Sequence, residues 1–139
     1  MTLLVHRCLA VVLWLEALFV VALCVAVLTS PVAPDEQTAV ALRLGAGVAA
    51  AVVVGLLVAA GLVLWRRHRT PPGRAGTTVL VIVAVGHFFE AASTLASLVS
   101  AVDQDGGALA GRLALSAATL VMGVLVLWAG VAPRPGVPR

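Results

Sequence analysis

Four apolar stretches organise this sequence, at about 8–28, 44–65, 77–101 and 112–131, each bounded by charge, proline or glycine. A helix rises 1.5 Å per residue and a bilayer core is roughly 30 Å thick, so about 20 apolar residues cross it. Each stretch therefore reads as a membrane-spanning helix. Thr29-Ser30-Pro31-Val32-Ala33-Pro34 breaks the chain after the first span. The basic segment Arg66-Arg67-His68-Arg69-Thr70-Pro71-Pro72-Gly73-Arg74 separates the second from the third. Asp103-Gln104-Asp105-Gly106-Gly107 precedes the fourth, and the proline-rich tail 133–139 is predicted to be mobile. A signal peptide is the competing reading of the first stretch, but its core is too long and holds Glu16, so an uncleaved helix is expected.

The third span breaks the apolar pattern in an ordered way. At 100° per residue, His87, Glu90, Ser93, Thr94, Ser97 and Ser100 fall in one arc of roughly 140°, with Gly86 on the same side. Facing lipid, a carboxylate and an imidazole in that arc would cost several kcal/mol. The polar side is expected to turn inward, toward the first and second helices of a four-helix bundle. His87 stands one turn from Glu90, within reach of a hydrogen bond, and Glu16 supplies a second acid deep in the first span. Glu90, His87 and Glu16, with Ser93, Thr94 and Ser97 beside them, are the candidate proton- or ion-binding residues. A carboxyl and an imidazole placed together away from water can load and release a proton. The opposing reading makes both acids interhelical glue, bonded to serine or backbone carbonyl.

In the second span Gly47, Ala51, Gly55 and Ala59 recur every four residues, a stripe that lets helices approach closely in lipid. It is expected to pack against a helix of the same chain, with homodimerisation as the sharper alternative. Arg43 and Arg112 stand at the entrances of the second and fourth spans as external-mouth charges. They are expected to pair with Asp35, Glu36, Asp103 or Asp105, or to snorkel; recognition of an anionic solute is the alternative.

Arginine placement predicts orientation. Arg7, Arg66, Arg67, Arg69, Arg74, Arg134 and Arg139 lie on one side, and only Arg43 and Arg112 on the other. This positive-inside bias places both termini in the cytoplasm and argues against an antiparallel dual-topology dimer. The Arg66–Arg74 segment is chiefly a topology determinant, with anionic-lipid contact as an added role. The halves also resemble each other. Each has an acid inside its first helix (Glu16, Glu90), an acidic external loop, an arginine, and a closing Leu-Val-Leu-Trp (Leu62–Trp65, Leu125–Trp128). A parallel two-plus-two helix repeat is the expectation that follows.

Composition agrees with a membrane protein. Of 139 residues, 62% are apolar and only 11% charged, against about 25% in a soluble domain. All nine basic residues are arginine, which suggests a GC-rich bacterial genome and an inner-membrane location. The net charge of +3 reflects topology, with no aromatic-basic pattern to suggest nucleic acid. Cys8 and Cys24 stand about 24 Å apart on one helix and cannot bridge each other.

No nucleophile elbow, phosphate loop or HExxH is present, so an enzyme is not expected. His-x-x-Glu plus Glu16 falls short of a di-iron set, and haem would need a second intramembrane histidine; no metal and no cofactor is expected. The function that fits is a non-enzymatic subunit in a membrane assembly, whether a homo-oligomer or a larger complex. The alternative is a proton- or cation-coupled transporter or channel with Glu90, His87 and Glu16 as its relay.

Overall fold

A computed structural model describes residues 3–30, 37–67, 72–99 and 106–131. They form four helices: α1 (Leu3–Thr29), α2 (Gln37–Arg66), α3 (Arg74–Val99) and α4 (Gly106–Val131). All four are long and apolar enough to cross a membrane. Each begins several residues before its expected start, because the flanks carrying Arg7, Arg43, Arg74 and Arg112 continue the helix. A helix satisfies its own backbone, so it extends through the interface without loss. The end of α1 is closed by side chains. Thr29 Oγ1 donates to Val25 O (2.8 Å) and Ser30 Oγ to Ala26 O (2.7 Å), each back onto the preceding turn, and Arg43 Nη1 donates to Ser30 O (2.6 Å), a carbonyl beyond the helix. The acids expected to pair with Arg43 and Arg112, namely Asp35, Glu36, Asp103 and Asp105, lie outside the described residues, as does the tail.

The helices fall into two compact units, Met1–Thr70 and Pro71–Arg139, each an antiparallel hairpin. The first buries Leu9, Ala10, Leu13 and Ala17 of α1 against Leu57, Ala60 and Leu64 of α2. Its packing is concentrated at the end that carries the N-terminus. Toward the other end the helices leave a shallow apolar cleft lined by Val20, Cys24, Leu28, Arg43 and Gly47. The second hairpin is packed along more of its length, with Leu80, Val83, Ala84, His87 and Ala91 of α3 meeting Ser116, Thr119, Val126 and Ala129 of α4. Lipid is as apolar as these side chains, so close fit and interhelical hydrogen bonds hold the helices together.

Glycine sets the closest approach in both hairpins. The Trp14 indole lies on Gly61, where an added Cβ would stand 2.7 Å from Trp14 Cδ1. On Gly123 it would stand 2.9 Å from Phe88 Cε1 and 3.2 Å from the Ala84 carbonyl oxygen. The expected small-residue stripe does not form the α1–α2 seam. Gly47 touches Leu28 and Ala59 is half-buried, but Ala51 and Gly55 are exposed. The seam runs through Leu57, Ala60, Gly61 and Leu64 instead, where a glycine accepts a large ring.

The buried positions of α1 recur in α3 at a fixed interval of 74: Leu9 and Val83, Ala10 and Ala84, Leu13 and His87, Ala17 and Ala91. Trp14 and Phe88 share that interval, as do Glu16 and Glu90. The two ring-bearing glycines, Gly61 and Gly123, are 62 apart, whereas Trp65 and Trp128 are 63 apart. The Leu-Val-Leu-Trp tetrapeptides are thus displaced by one residue from the register that the packing uses.

Candidate functional site

The polar arc of α3 divides between two environments. His87 is 6% exposed and lies in the α3–α4 seam. Its Nδ1 is 2.8 Å from Val83 O, one turn back. A carbonyl only accepts, so Nδ1 carries the hydrogen. The expected His87–Glu90 pairing is not among the hydrogen bonds of the described residues. Glu90, expected to be sheltered by neighbouring helices, is exposed, as are Gly86, Ser93 and Ser97. Thr94 is half-buried between the two sets, and Ser97 Oγ donates back to Thr94 O at 2.7 Å. Ser100 lies outside the described residues.

Helical geometry explains the division. Leu80, Val83, Ala84, His87 and Ala91 centre on one direction, and Gly86, Glu90, Ser93 and Ser97 fit within about 60° of arc roughly 105° away. Phe88 must reach Gly123, and Ala84 and Ala91 permit the close approach. That rotation fixes α4 on the His87 side and leaves the Glu90 stripe uncovered by α4. Burial of His87 and coverage of Glu90 by one helix are incompatible at this register.

Glu16 belongs to the other hairpin and is half-buried on α1. Among the described residues no three His, Cys, Asp or Glu side chains cluster as metal ligands would. Cys8 and Cys24 are both free thiols. Arg112 is half-buried near the start of α4.

Two polar features stand apart from the expected candidates. On α4, Ser116 Oγ donates across the hairpin to Ala91 O at 3.1 Å, and Thr119 Oγ1 bonds back to Leu115 O and Ser116 O. With His87 they make the second seam polar. The signal was present in the sequence: Ser116, Thr119, Gly123, Val126 and Gly130 follow helical spacing on one face of the fourth span. At the N-terminal end of the first hairpin, Trp14 and Trp65 pack with ring centroids 5.5 Å apart. The Arg7 guanidinium lies 5.1 Å over the Trp65 ring, within cation–π range.

No protein-family model, curated protein or solved structure matches this chain.

Proposed function

We propose that this chain is a non-enzymatic subunit of a membrane assembly, which docks another transmembrane helix along the Gly86–Glu90–Ser93–Ser97 face of α3. The exposure of Glu90 carries this reading. A charged acid at the centre of a lipid-facing span costs of order 3 kcal/mol, and a partner helix that donates to it removes that cost. Gly86 allows such a helix to approach closely, and the two serines can donate or accept. The arrangement of arginines supports both termini in the cytoplasm and a bacterial inner-membrane setting. The 74-residue recurrence of buried positions, of an aromatic and of an acid supports the two-plus-two repeat.

Purification of the whole chain in mild detergent tests the docking. A stoichiometric second subunit or second copy should accompany the wild type, weaken about tenfold with Glu90→Ala, and survive Glu90→Gln, which keeps a hydrogen-bonding head. A monodisperse monomer with no companion, unchanged by Glu90→Ala, would overturn the reading.

The polar seam of His87, Ser116 and Thr119 favours a second reading, a proton or cation relay with Glu90, His87 and Glu16. pH-gradient-driven uptake into liposomes that disappears with Glu90→Gln would establish that one instead.

A further inference from the structure

We propose that the N-terminal end of the first hairpin is a binding site for an anionic phosphate headgroup, formed by Arg7 of α1 with Arg66 and Arg67 at the end of α2. The inference needs only that the hairpin spans a membrane, and stands apart from the docking face of α3. Arg7 is half-buried, and its Nε is shielded from solvent with no hydrogen-bond partner. The Trp65 ring takes one face of the guanidinium, at 5.1 Å. A ring face fixes the plane of that group but accepts none of its in-plane N–H donors, and the Nε–H still needs an oxygen.

Among its described residues the hairpin offers no carboxylate there. Its acids are Glu16, Asp35 and Glu36. Glu16 lies about 13 Å further along α1, on the opposite side of the helix from Arg7, and the other two lie outside the described residues. Arg66 is exposed at the last turn of α2, and Arg67 is half-buried beside it in a turn closed by its N–H to Leu64 O at 3.3 Å. Arg7 reaches this end through its contact with Trp65, so three arginines, from α1, the last turn of α2 and the turn that follows it, stand at the same end of the hairpin.

Trp14 holds the platform in place, since it packs on Trp65 and is itself seated on Gly61. A planar fork of N–H donors over a fixed aromatic suits a phosphate oxygen pair better than a flexible ammonium would. Tryptophan beside it is the usual anchor at the level of the headgroups. Phosphate is thus the shared chemistry, supplied either by an anionic phospholipid or by free phosphate.

The test uses the full chain in mild detergent, with native mass spectrometry and thermal unfolding on addition of phosphatidylglycerol, phosphatidylcholine or inorganic phosphate. Phosphatidylglycerol should be retained and should raise the unfolding temperature, with about tenfold weaker retention in Arg7→Gln and a smaller loss in Arg7→Lys. Inorganic phosphate giving the same Arg7-dependent shift would assign the site to free phosphate. Arg66→Gln, at an exposed position, tests the cluster without disturbing the packing and should weaken retention about threefold. The lipid-induced shift should also shrink as salt rises from 0.05 to 0.5 M. Equal retention of phosphatidylcholine, or phosphatidylglycerol binding that neither Arg7→Gln nor Arg66→Gln changes, would overturn the proposal.

Discussion

The two hairpins use the same positions for different ends. In each, an aromatic two residues before a mid-span acid sits on a glycine of the following helix, and the buried set of the first helix recurs 74 residues later. One buried place differs in chemistry. Leu13 fills the first seam, and His87 fills the matching place in the second. The first seam is aliphatic and aromatic, with its polar chemistry displaced to the arginine end. The second is polar inside, through His87, Ser116 and Thr119, and carries an uncovered acid outside. One packing scheme therefore serves both hairpins, and the second is the one that spends buried positions on polar groups. This is the expected place for function, because polar residues inside a membrane are costly unless they are used.

Exchanging the divergent residues tests the comparison most severely. Leu13→His should destabilise the first hairpin by about 3 kcal/mol in detergent unfolding, because Leu57, Ala60 and Leu64 offer no side-chain partner for Nε2. His87→Leu should change stability by less than about 1 kcal/mol, since leucine already fills the equivalent place and the His87 Nδ1 bond to Val83 O lies within one helical turn. Equal losses for the two exchanges would mean that the seams are not equivalent.

The glycines sharpen the picture at smaller magnitude. Gly61→Ala should cost about 2 kcal/mol by displacing the Trp14 indole from its stack on Trp65, with much of that loss absent in a Trp14→Leu background. Gly123→Ala should cost about 1 kcal/mol and be only partly relieved by Phe88→Leu, because the Ala84 carbonyl also stands in the way. Gly55→Ala meets nothing within 4 Å and should be neutral or stabilising by a few tenths of a kcal/mol. A clear loss at Gly55 would restore the original small-residue stripe as a packing surface.

The four spans were legible because membrane thickness and backbone satisfaction fix their length and character, whatever the details of packing. Their ends were less so, since arginine-bearing flanks continue as helix beyond the apolar runs. Which side of each helix packs was not legible. In α2 small residues stand both on the line through Gly47, Ala51, Gly55 and Ala59 and, as Ala60 and Gly61, between the leucines of the seam. The Trp14 ring selects the second, and that choice depends on a register between distant residues. On α3 the contact with α4 buries His87 and leaves Glu90 exposed. Both lay within one arc, but a single neighbouring helix covers only part of it, and the Phe88–Gly123 contact decides which part. The Arg7–Trp65 stack was hidden for the same reason, its partners being far apart in sequence.

Site-directed spin labelling of α3 in native lipid addresses the docking face directly, with labels at Ser93 and Ser97 compared against Val85 and Ala92 on the apolar exposed side. If a partner helix covers the Glu90 stripe, labels at Ser93 and Ser97 should collide with membrane-dissolved oxygen several-fold less often than those at Val85 and Ala92. Equal, high collision rates at all four positions would place Glu90 against lipid and contradict the account.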